Sequence, residues 1–152
     1  MHTIELFGIP IYRKMLEGTG VDIVQKELFK ACDSVKFAQN RHWTSNTHEL
    51  SENPFNECIL TKNECSNFLR HLDFCIKQYL NTIPNSAVSN TKSKHPNYRI
   101  TASWFTKTKQ GQNAHLHSHG DADIAGVYYV QSNNQDGELS LRNPNVILQS
   151  NY

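Results

Sequence analysis

The sequence predicts an α+β domain in which helices come first and an antiparallel β half follows. Two observations carry that expectation. Apolar residues recur at helical spacing over about 21–37 and again from Cys65 to Leu80. From Tyr98 onward the pattern turns to β-branched and aromatic runs separated by short polar turns. A chain of 152 residues is best treated as one domain, residues 1–152, large enough to bury a real core.

The run Ile4-Glu5-Leu6-Phe7-Gly8-Ile9-Pro10-Ile11-Tyr12 reads as an N-terminal strand, broken or placed at an edge by Pro10. A first helix is expected at about 21–37, where Val21, Val24, Leu28, Ala31 and Val35 share one face. Residues 38–57 are polar and irregular, and include His42, Trp43, Asn46, His48 and Asn53-Pro54. Thr61-Lys62-Asn63-Glu64 fits a capping box for a second helix, in which Thr and Glu side chains satisfy backbone donors of the first turn. Cys65, Phe68, Leu69, Leu72, Ile76, Tyr79 and Leu80 then form its apolar stripe, and Pro84 follows. Both helices are expected to pack against a sheet. Residues 85–97 read as a loop. Strands are expected at Tyr98–Thr108, Ala125–Gln131 and Glu138–Leu141, with a turn over Asn133-Asn134-Gln135-Asp136-Gly137.

Composition narrows the function classes. Fifteen basic and fourteen acidic residues leave a net charge of +1, with no electrostatic footprint for nucleic acid or an anionic membrane. The hydrophobic fraction is 38% and the mean hydropathy −0.60. No apolar run approaches the ~18 residues of a transmembrane helix. The start Met1-His2-Thr3-Ile4-Glu5 lacks the features of a signal peptide. Cys32, Cys58, Cys65 and Cys75 contain no C-x-x-C pair. They read as free, partly buried thiols of a cytoplasmic protein rather than as a zinc site.

The densest chemistry lies in Asn113-Ala114-His115-Leu116-His117-Ser118-His119-Gly120-Asp121. In an extended segment the alternate residues His115, His117, His119 and Asp121 all point to one side. Neighbours two apart are then roughly 6–7 Å apart at Cα, close enough to share a metal ion. Neutral imidazole suits iron, zinc, copper and nickel, and a mixed histidine/carboxylate set with open positions suits non-haem Fe(II). Three overlapping pairs are available: His115/His117, His117/His119 and His119/Asp121. His115/His117 is preferred because the approach from Trp104 to Ala114 reads as ordered strand. His119 with Asp121 is the alternative register, and Gly120 makes it prone to bend away. The third ligand must come from elsewhere. His42 and His48 read as solvent-facing, and His71 as lying on the wet side of the second helix. Trp43 reads as core or pocket wall, and Trp104, Tyr128 and Tyr129 as pocket wall. Arg99 and Arg142 could pair a carboxylate, although an exposed or structural arginine is the commoner outcome.

Taken together, Ser103-Trp104-Phe105, the H-x-H, Ile124-Ala125-Gly126-Val127-Tyr128-Tyr129-Val130, Gly137-Glu138-Leu139-Ser140-Leu141 and Asn143-Pro144 resemble a 2-oxoglutarate/Fe(II)-dependent oxygenase (dioxygenase) family of bacteria and marine bacteriophages. Glu5-Leu6-Phe7-Gly8-Ile9-Pro10-Ile11-Tyr12 resembles that family's opening strand. The resemblance implies a double-stranded β-helix (a cupin-like jelly roll) with supporting N-terminal helices. It also implies Fe(II) as cofactor, 2-oxoglutarate as co-substrate, and hydroxylation of a small-molecule or protein substrate in the cytoplasm, the host's if the protein is phage-encoded. The family's distal histidine and 2-oxoglutarate-binding arginine have no counterpart, because no histidine follows His119 and no arginine follows Arg142. The expectation is therefore a C-terminally incomplete oxygenase domain with negligible turnover by itself. An unfinished sheet edge of this kind is expected to self-associate. A cupin-like metal or small-ligand module without redox turnover is the competing reading. A metallo-hydrolase and an inactive remnant stand behind it.

Overall fold

The computed structural model describes residues 2–6, 8–39, 49–51, 58–83, 98–119, 122–133, 135 and 137–142. Its elements are β1 (His2–Leu6), β2 (Ile9–Arg13), α1 (Val21–Asp33), β3 (Phe37–Gln39), β4 (Glu49–Ser51), α2 (Ile59–Lys62), α3 (Ser66–Leu80) and β5 (Thr106–Lys107). The single N-terminal strand expected over Ile4–Tyr12 is a hairpin. β1 and β2 pair antiparallel, closing at Leu6↔Ile9. Gly8 in the tight connection takes a φ of 78°, which a side chain would strain. Pro10 stands opposite Glu5. In a two-stranded sheet every strand is an edge, so a residue without an N–H is accommodated. The Tyr79 hydroxyl donates to the Pro10 carbonyl at 3.2 Å and ties the hairpin to α3.

α1 buries Val24, Leu28 and Ala31, the i, i+4, i+7 face read from the sequence. It stops at Asp33, short of 37, and Phe37 opens a three-stranded antiparallel sheet of order β3-β4-β5. Its registers include Phe37↔Ser51 and Leu50↔Thr106. Two strands thus arise where the sequence reads as irregular, β3 at the start of that stretch and β4 within it.

The second helix begins later than the capping box predicts. α2 is one short turn, Glu64 has a positive φ of 54°, and α3 starts at Ser66 with Cys65 in the cap position. Thr61 folds back to donate to the Cys58 carbonyl at 2.9 Å. The cap of α3 comes from α1. Glu27 accepts from the backbone N–H of Asn67 at 3.0 Å and of Phe68 at 2.8 Å. A carboxylate there satisfies orphan donors and complements the helix dipole.

The start of α2 is arranged likewise. Ser103, paired with Cys58 in a parallel bridge, accepts on its hydroxyl from the Leu60 N–H at 3.1 Å. The same hydroxyl lies 3.2 Å from the Cys58 sulfur. Burial alone would raise the Cys58 thiol, but hydrogen bonds from Ser103, Thr61 and the Leu60 backbone leave it below its ordinary value.

The core joins Val24, Leu28 and Ala31 of α1 to Cys65 and Phe68, with Leu16, Leu60, Leu72, Phe105, Tyr128 and Val130 packed around them. The C-terminal half docks through Tyr128, 4.9 Å ring to ring from Phe68, and through the Val130 carbonyl, which accepts from Gln25 at 3.2 Å. Of the strands expected in that half, only Thr106–Lys107 forms a ladder among the described residues. Ala125–Val130 and Leu139–Leu141 carry β-prone residues, yet Val127, Tyr129, Leu139 and Leu141 are exposed. A strand needs a neighbour to exchange hydrogen bonds with, which local propensity does not supply. All four cysteines are free thiols, with Cys65 buried and the others half-buried. No helix among the described residues is long and apolar enough to cross a membrane.

Candidate metal centre

The histidine segment leaves β5 through a turn at Gly111, whose φ is 79°, and runs past Ala114 with His115, Leu116, His117, Ser118 and His119 all exposed. Alternation along an extended chain puts the odd-numbered side chains on one face. Two of the rings meet there. The imidazoles of His117 and His119 are 5.1 Å apart, centre to centre, with planes inclined at 71°. His119 also lies 5.8 Å from the Trp104 ring at 29°, stacked on the half-buried indole. His115 meets the cluster through its backbone, its carbonyl 2.7 Å from His117 Nδ1. A carbonyl oxygen only accepts, so Nδ1 carries the proton and the lone pair of His117 is on Nε2. That arrangement is how metal-binding imidazoles are commonly oriented.

Two imidazoles binding one ion at about 2.0–2.1 Å hold their ring centres roughly 4.5–6 Å apart. The His117/His119 spacing falls in that range, which is also that of an ordinary edge-to-face ring contact. Completion of a triad is a different matter: no group of three histidine, cysteine or carboxylate side chains gathers to hold an ion among the described residues. Asp121, His42 and His48 lie outside the described residues, as does Trp43.

The expected pocket-wall residues separate. Trp104 stands against the histidines, whereas Tyr128 faces the core on Phe68, and burial pushes its phenol up. Tyr129, next in sequence, is 54% exposed. His71 is not on a wet face: it is half-buried on α3, its Nε2 3.5 Å from the Cys75 sulfur. Burial, and then the Lys14 charge, hold its imidazole below the ordinary value. The i, i+4 spacing of His71 and Cys75 is a signal readable in the sequence. No family model, curated protein or solved structure matches the chain.

Proposed function

We propose that this chain is a metal-binding domain of the non-haem Fe(II) type, in which His117 and His119 are two ligands of one ion. The observation that carries the reading is their ring juxtaposition above Trp104. His115 is the alternative partner of His117, and Asp121 that of His119. Bound together with 2-oxoglutarate, Fe(II) would supply the oxidising chemistry of a hydroxylase on a double-stranded β-helix. The chain's own part is more modest. The His115 carbonyl fixes the tautomer of His117, Trp104 holds the His119 plane, and exposure of the segment leaves the ion open to substrate.

Anaerobic titration with Fe(II) is expected to reveal one site on this segment. Its affinity should fall at least ~10-fold, about 1.4 kcal/mol, in His117→Ala and in His119→Ala. A smaller loss is expected in His115→Ala. If His115→Ala and His117→Ala are the damaging pair, the ligands are one step earlier. If none of the three weakens binding, the proposal fails. Succinate release from 2-oxoglutarate separates the oxygenase reading from a cupin-like site that binds metal without turnover.

A further inference from the structure

α3 carries a second donor pair, remote from the histidine segment in sequence. His71 and Cys75 are one helical turn apart and therefore share a face. Both are half-buried, and Nε2 of His71 lies 3.5 Å from Sγ of Cys75. That separation has a chemical meaning. Zinc–sulfur and zinc–nitrogen bonds of about 2.3 and 2.0–2.1 Å, meeting at a tetrahedral angle, hold the two donors roughly 3.6 Å apart. The pair stands at the bite distance of a chelate, which is also the distance of a thiol–imidazole hydrogen bond.

The surroundings add a hydroxyl oxygen. The Tyr12 hydroxyl, brought over from β2, is buried beside the Cys75 sulfur, its hydrogen-bond partner. Cys75 is close enough to act on it, and after burial is the main influence that pushes the Tyr12 phenol up. A thiolate in place of the thiol would make that hydrogen bond charge-assisted and stronger. One opposing charge faces the site: Lys14, whose ammonium lies 4.2 Å above the Phe74 ring and whose field reaches both His71 and Cys75. It disfavours a hard cation held by neutral oxygens. Against a thiolate-bound ion its effect is smaller, because the thiolate's negative charge offsets the metal's.

We propose that His71 and Cys75 form a chelating site for a thiophilic transition-metal ion of the zinc class, with the Tyr12 hydroxyl donating to the thiolate. Thiolate and imidazole are the donor types that select zinc or copper(I) over magnesium or calcium. Two protein ligands leave further positions to water or a small anion, so the ion is exchangeable rather than structural. Binding to the folded chain alone stabilises it by mass action. The ion clamps one turn of α3 against the β1–β2 hairpin. This site does not depend on the proposal for His117 and His119, since a thiolate ligand distinguishes the two spectroscopically.

The test uses Co(II) and Zn(II) on the full chain. Co(II) should develop a near-ultraviolet thiolate charge-transfer band that is absent in Cys75→Ser and weakened at least ~10-fold in His71→Gln. It should persist in the His117→Ala/His119→Ala double variant. Far-UV circular dichroism establishes that each variant is folded. A second measurement needs no substitution: Zn(II) should protect Cys75 from alkylation at least ~5-fold in wild-type protein, mapped by mass spectrometry, while Cys32 is unaffected. No band in the wild type, a band surviving Cys75→Ser, or unprotected Cys75 would each reduce the pair to a thiol–imidazole hydrogen bond and overturn the site.

Discussion

Glu27 shows how one side chain decides where a helix begins. It occupies the i+3 position between Val24 and Leu28, inside the apolar stripe of α1. A carboxylate there must find donors, because burying polar groups without partners costs free energy. Its donors are the N–H groups that open α3, forty residues away. Glu27→Ala removes both hydrogen bonds at once and is expected to cost about 1–2 kcal/mol, read as a lower urea midpoint. Glu27→Gln keeps an acceptor oxygen and should lose roughly half as much. If both variants match the wild type, α3 does not depend on this cap.

The segment around Ala125–Val130 illustrates the gap between an element's pattern and its role. The run Val127-Tyr128-Tyr129-Val130 alternates as a strand should, and Tyr128 and Val130 do turn toward the core while Val127 and Tyr129 face out. What is missing among the described residues is a ladder. The segment is held by side chains and by one hydrogen bond from Gln25, not by a sheet. Adjacent tyrosines should therefore respond differently. Tyr128→Ala loses the Phe68 contact and should destabilise by about 2–3 kcal/mol. Tyr129→Ala should stay within about 0.5 kcal/mol, as exposed substitutions do. Equal losses in thermal or chemical denaturation would mean that the segment is buried on both sides.

For the molecule as a whole, the ionisable groups define a window of stability. Burial, then Lys14, holds His71 below 6.5 in the folded state. As pH falls through 6.5, the unfolded chain takes up a proton that the folded chain resists. Stability declines there and levels off below the folded value. Cys32, Cys65 and Cys75 are all held above their ordinary value of 9.0, burial being the main cause in each. Tyr98 is pushed up to about 12 by burial and by its hydrogen bond to Asp73. The unfolded chain therefore ionises first on the alkaline side, and stability falls as pH rises through 9.0. With metal chelated away, the urea midpoint should be greatest between pH 6.5 and 9.0. A midpoint that keeps rising above that range would sink this account.

Several features were legible in the residues themselves. The apolar face of α1, the stripe of α3 and the alternation through Tyr128 and Val130 follow from period alone, since each side chain's direction is fixed by its own backbone. The alternating histidines likewise bring His117 and His119 to one side without help from the rest of the chain. Other features depend on partners far away in sequence. The start of α3 depends on Glu27, the start of α2 on Ser103, and the orientation of the His119 ring on its stacking with Trp104. The His71/Cys75 pair was present as a spacing, but its half-buried setting depends on the packing of β2 against α3. Local periodicity says which side of an element faces inward. Which group it meets there is a long-range contact, settled only when the free energy of the whole packed chain is minimised.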